Sequence, residues 1–337
     1  MTSNRTMTPA QWALLGVLST LWGGSFFFVD LALRQLPPLC LVAWRVAAGA
    51  ALLYGVLRGQ GGAMPRDAHT WRSLLVMGLL NNVVPFSLFT WSQTHIASGL
   101  ASILNATTPL WTVLVAHFCT RDEKATPARL AGVALGFAGV AVSVGGAASQ
   151  DFGSSTIAEG ACLVATLSYA LAGVYGRRLR ALGIAPLQAA TGQLASAALV
   201  LVPVALAVDR PWQLASLDAT TWGALAGLAA LSTALAFVIY FRLLAAAGAT
   251  NLLLVTFLIP VTAILLGSFI LGETLAARHW LGFALIATGL VAIDGRLLRT
   301  RHTARDAGVL KPHFPPAGDS RLVQPAPSSR RQRLRRR

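Results

Sequence analysis

The residues best suited to binding work are polar side chains set one turn or less before a proline, deep inside apolar stretches. Asn81 and Asn82 precede Pro85; Asn105, Thr107 and Thr108 precede Pro109; Thr256 precedes Pro260. A proline removes one backbone donor and frees a carbonyl a turn earlier, so each cluster joins side-chain amides or hydroxyls to loosened backbone. That combination suits hydrogen bonding to a small solute. Its local alternative is that the Thr hydroxyls satisfy the freed carbonyls themselves. Arg45 is the one arginine well inside an apolar stretch; its guanidinium must reach the interface, find an acceptor, or meet an anion. Trp22, Phe86, Trp91, Trp111, Tyr169 and Tyr240 are candidate aromatic walls. Asp30, Glu159 and Asp294 fall near the ends of their stretches, which leaves no carboxylate at the midpoint for proton coupling. No phosphate-binding loop, nucleophile–base pair or metal-ligand spacing is found, so neither catalysis nor a cofactor is expected. Cys40, Cys119 and Cys162 are far apart in or beside apolar stretches and read as small buried hydrophobes.

The elements carrying these residues are membrane spans. Of 337 residues, 55% are hydrophobic and 12% charged, about half the charge of a soluble domain. The apolar residues come in blocks of roughly twenty, the length of a bilayer-crossing helix. The expected architecture is an all-α integral membrane protein with ten transmembrane helices, at about 11–33, 39–57, 72–92, 97–119, 128–147, 157–176, 186–208, 222–241, 250–271 and 278–295. Residues 1–10 precede the spans. The Pro-, Ser- and Arg-rich segment 296–337 carries +10 of the net +15 and is expected to be a disordered cytoplasmic tail resting on anionic lipid headgroups. Without aromatic interleaving, nucleic-acid binding is not expected of it. With the N-terminus inside, the cytoplasmic segments before the tail hold eleven Lys/Arg and the outer loops three, so both termini are expected in the cytoplasm of a multi-pass cell-membrane protein (the inner membrane in a Gram-negative cell).

The chain also matches itself. At a spacing of 151 residues Trp71, Phe86, Pro109 and Phe118 fall on Trp222, Phe237, Pro260 and Phe269, and Asn81-Asn82 falls on Ser232-Thr233. One residue out of step, Glu123, Gly132 and Gly139 fall on Glu273, Gly282 and Gly289; Pro38 and Arg45 are spaced like Pro186 and Gln193. Two five-helix units, 11–147 and 157–295, are therefore expected. An odd helix number makes the second unit enter from the opposite side, giving inverted repeats suited to alternating access. Ser232 and Thr233 would then face Asn81 and Asn82. Glu123 and Glu273, near the starts of the fifth and tenth helices, would favour the helix dipoles or serve as gates, one at each face.

The runs Leu21-Trp22-Gly23-Gly24-Ser25-Phe26, Pro38 with Trp44-Arg45, and Pro109…Glu123…Gly132…Gly139 resemble the EamA-type transporters of the drug/metabolite transporter superfamily, as does Gly248-Ala249-Thr250…Ile259-Pro260…Gly272-Glu273…Gly282. The resemblance spans about residues 11–295 and implies a ten-helix bundle of two inverted repeats exporting small metabolites, commonly amino acids or related compounds. The residues expected at the substrate are Trp22, Asn81, Asn82, Phe86, Trp111, Tyr169, Ser232 and Thr233. Those expected at hinges or gates are Arg45, Pro85, Pro109, Pro260, Glu123 and Glu273. The expected partners are a small-molecule substrate and membrane lipids; the sequence does not specify an oligomeric state. The competing reading is a non-transporting membrane protein: a scaffold, a sensor or an intramembrane enzyme.

Overall fold

The computed structural model describes residues 7–120, 124–144, 154–252 and 254–294; the expectations for Glu123 and for the tail after residue 295 lie outside the described residues. All regular structure among the described residues is helical. In chain order the helices are α1 (Pro9–Leu33), α2 (Pro38–Gly59), α3 (Ala68–Ser92), α4 (Ser98–Cys119), α5 (Pro127–Val144), α6 (Ser154–Ala181), α7 (Pro186–Asp209), α8 (219–252), α9 (Val255–Leu271) and α10 (Ala277–Asp294). Eight of them, α1 to α8, contain stretches long and apolar enough to cross a bilayer; the apolar parts of α9 and α10 are shorter.

Local sequence explains the boundaries. Pro9, Pro38, Pro127 and Pro186 stand at helix starts, where a missing N–H costs nothing. Thr8 and Gln11 close a capping box on α1. Asp67 and Asp218, which are 151 residues apart, cap α3 and α8 by accepting from the N–H groups of Thr70 and Thr221, each at 2.7 Å. Those donors hold both carboxyls below the usual carboxylate range. The eighth helix runs well past the expected end at 241, because Arg242 is followed by the good helix formers Leu243, Leu244 and Ala245–Ala247, and a charged residue does not itself break a helix. The ninth accordingly starts at Val255 rather than near 250.

The packing repeats itself between halves. α1 packs on α9 as α6 packs on α4, α3 on α7 as α8 on α2, and α3 on α6 as α8 on α1; α2 pairs with α7 and α5 with α10. The α5–α10 contact is backbone against backbone. A Cβ on Gly132 would stand 2.7 Å from the Gly289 carbonyl oxygen, and one on Gly139 2.6 Å from that of Gly282. Small residues bring the two helices this close. The pairing of an early residue with a late one makes them antiparallel. Large apolar side chains cover the outside: Trp12, Phe118, Trp212, Phe269 and Trp280 are each at least half exposed. Such a surface is prohibitive in water and ordinary in lipid.

Candidate functional site

The two polar pairs sit on matching irregularities. α3 loosens into a π-helical turn at Leu79–Val83, and α8 does so at Gly227–Leu235. Asn81-Asn82 lies in the first and Ser232-Thr233 in the second. A π-turn shifts the helical register by one residue and leaves ladder groups unmatched, which is why such turns gather at functional positions. In α3 the turn meets Pro85. With i→i−5 pairing, Pro85 has no N–H for the Leu80 carbonyl, and the Ser168 hydroxyl of α6 donates to it instead at 2.7 Å. At the next proline the Thr108 hydroxyl donates to the Asn105 carbonyl at 2.8 Å, the acceptor that Pro109 leaves free. α4 breaks there, between Asn105 and Thr108. Pro260 is buried within α9.

The polar pairs do not face one another as expected. Each is met by a side chain from the helix pair between them. Asn81 donates to the Gln193 Oε1 of α7 at 3.1 Å, and Arg45 of α2 donates through Nε to the Thr233 hydroxyl of α8 at 3.2 Å. Arg45 and Gln193 hold the same place after Pro38 and Pro186, so the two contacts are the same contact in the two halves. The aromatic pairs repeat likewise. Trp22 of α1 packs on Tyr240 of α8 with centroids 5.5 Å apart, and Tyr169 of α6 stacks on Phe89 of α3 at 6.2 Å. The Arg45 guanidinium lies over the Phe86 ring, its Cζ 3.9 Å from the centroid.

Between these groups is a cavity of about 570 Å³ walled by both halves. Ligand pockets run from roughly 300 to 1,000 Å³. Of the expected substrate residues, Trp22, Asn81, Phe86, Tyr169 and Ser232 line it, as do Arg45, Asn105, Thr108 and Thr256. Asn82, Trp111 and Thr233 do not. Asn82 is fully buried, with neither amide atom bonded to any protein group. Trp111 packs edge-on against Phe137 of α5, and Thr233 is buried behind Arg45. The wall also includes Phe89 and Phe241, which composition and motif did not single out, and Phe26, Gln193 and Phe237, which the sequence marked only through a motif run or the repeat. Phe89 was findable: it stands 151 residues before Tyr240. The cavity extends to the α6–α7 connection, where Arg177, Arg180, Ile184 and Pro186 line it. Asp30, Glu159 and Glu273 are all outside its wall.

Glu273 is not at the start of α10, where the sequence suggested a dipole partner. Gly272 ends α9 in the left-handed region (φ 71°), and the Glu273 N–H returns to the Gly267 carbonyl at 3.0 Å. This turn swings the carboxylate onto the N-terminus of α4, where it accepts from the backbone N–H groups of Ser98 at 2.7 Å and Gly99 at 3.1 Å. The dipole argument holds, with a different helix as the beneficiary. Gly267 leaves room for the carboxylate, since a Cβ there would crowd it.

A bundle of apolar helices, kinked and π-turned about a shared polar and aromatic cavity, is the architecture of a polytopic membrane transporter. The sequence profile of the EamA-like transporter family matches residues 10–145 and again residues 156–293. The chain belongs to that family. It is 27% identical over 293 residues to "Uncharacterized inner membrane transporter YedA" of Escherichia coli (strain K12), covering 86% of this chain and 92% of that protein. It is 25% identical over 281 residues to "Uncharacterized transporter YoaV" of Bacillus subtilis (strain 168), covering 82% and 94%. A solved structure described as "Crystal structure of protein" superposes with a TM-score of 0.62 at 18% identity, covering 88% of this chain and 99% of that one, which speaks to the fold.

Proposed function

We propose that this chain is a secondary transporter that exports a small organic metabolite, an amino acid or related amphipathic solute, by alternating access through ten spans arranged as two inverted repeats. The observation that carries the reading is the cavity at the junction of the halves, where each half contributes the same polar and aromatic contacts. A site built twice from one unit has two near-equivalent arrangements, one open to each side, and these are the two states that alternating access needs. The antiparallel α5–α10 pair and the exchange-symmetric packing favour inversion.

The Lys/Arg bias favours a cytoplasmic position for the α6–α7 end of the cavity. On that reading the structure is open inward and loads from the cell interior. At the opposite end the Glu273 carboxylate clips α9 to α4 as an outer closure. Pro109 and Pro260 interrupt or weaken these same two helices and serve as their hinges.

The test is solute counterflow into proteoliposomes holding the purified full chain, run with a panel of amino acids and their analogues. Trans-stimulated uptake of at least one solute, reduced more than fivefold by Asn81→Ala, is the expected result. Uniform absence of flux across the panel, with folded protein in the vesicles, favours the non-transporting alternative.

A further inference from the structure

We infer that the cavity selects an organic anion with an aromatic or apolar body and that Arg45 holds its acid group. The inference rests on the cavity being the solute's site. Arg45 is 92% buried, being only 8% exposed, yet it lines the open space. Thr233 takes its Nε and Phe86 takes one face of its plane. Among the described residues no carboxylate and no other acceptor meets either terminal nitrogen. A guanidinium is a rigid fork, and these two contacts fix its position while leaving the fork's terminal nitrogens unused. An unpaired charge in a membrane interior is costly, and a carboxylate, sulfonate or phosphate oxygen pair is the partner whose geometry matches that fork.

The rest of the wall agrees in sign. Among the described residues its charged side chains are Arg45, Arg177 and Arg180, with no Asp or Glu. A cationic amphiphile would meet like charge at Arg45, whereas an anion arriving from the α6–α7 end passes Arg177 and Arg180 on its way to it. The body of the ligand meets rings, since Trp22, Phe86, Phe89, Tyr169, Phe237 and Tyr240 all line the cavity. Asn81, Gln193 and Ser232 supply neutral polar contacts only. An ammonium group is therefore dispensable, and an amino acid is recognised here through its carboxylate.

The experiment is titration calorimetry of the full chain in nanodiscs at pH 7.5 with three probes of one shape: 3-phenylpropionate, 3-phenylpropionamide and 3-phenylpropylamine. The carboxylate is expected to bind at least tenfold tighter than the amide, and the amine weakest. Arg45→Gln is expected to abolish the preference for the carboxylate over the amide, with Arg45→Lys retaining part of it. Equal or tighter binding of the amine, equal binding of the amide, no binding of the carboxylate, or an unchanged preference in a folded Arg45→Gln protein each overturns the proposal. If Arg45→Gln does not fold, the ranking of the three probes by the unaltered chain still decides. Counterflow of the same probes separates the two readings. Tight carboxylate binding without flux sinks the transporter and leaves the anion site. Flux of the amine as fast as of the carboxylate does the reverse.

Discussion

Two side chains of one polar pair have opposite fates. Asn81 reaches the cavity and a partner, while its neighbour Asn82 is sealed away with both amide atoms unbonded. An unsatisfied buried amide costs about 1–3 kcal/mol, so it weakens the state described here. Asn82→Leu is similar in volume and removes that cost. Its melting temperature in detergent is expected to be unchanged or raised, while counterflow falls at least tenfold if the amide finds its partners in the other transport state. A lower melting temperature would show that the amide is already satisfied. Ser168 makes the complementary case. Ser168→Ala orphans the Leu80 carbonyl and is expected to cost about 1–3 kcal/mol of stability. In a Pro85→Ala background, where the helix can supply its own donor, that cost is expected to vanish, as a double-mutant cycle of melting measurements would show.

At the scale of elements, the helices were legible in the sequence and their internal irregularities were not. Twenty-residue apolar blocks and Pro/Asp starts locate spans because lipid demands length and the first turn demands caps. A π-turn has no such signature: it inserts one residue's worth of rotation and moves which side chain faces inward. The sequence could offer both Asn81 and Asn82 without choosing between them for this reason. Trp111 was misplaced for a related one, since aromatic residues carry no mark distinguishing a cavity wall from a seam with the next helix. Glu273 looked like a residue of α10 because spacing along the chain does not reveal that Gly272 turns it back onto α4. The caps give a pH prediction. Asp67 and Asp218 have pKa values below those of an unfolded chain, so their stabilisation is complete above the ordinary carboxylate range and is lost as pH falls through their depressed values. Replacing both by Asn is expected to flatten that acid limb of melting temperature against pH, leaving neutral stability nearly unchanged because Asn also caps.

For the whole molecule, orientation is the quantity on which the functional reading turns. Alkaline phosphatase fusions after Gln150 and after Gly272 are expected to be active, hence outside, and fusions after Ala63 and Leu182 inactive. Activity of the last two would put both halves the other way up and make Glu273 an inner latch. With the orientation as proposed, Glu273→Gln loosens the outer closure. A cysteine placed at Gln93 is then expected to react at least fivefold faster with a membrane-impermeant maleimide added to intact cells. The duplication was visible at the 151-residue spacing, but its consequence was not. Asn81–Gln193 and Thr233–Arg45 are one contact in two copies, and a charge survives in only one of them.

The α5–α10 seam has no side chains between its closest glycines, and this limits how the protein can change shape. Backbone already meets backbone there, so neither helix can move closer to the other without a clash. The pair is left as an axle: a stiff rod of two helices about which the remaining spans tilt. Spin labels on opposite members of that rod should keep one sharp separation in every bound and unbound condition, while labels spanning α4 and α9 spread into two.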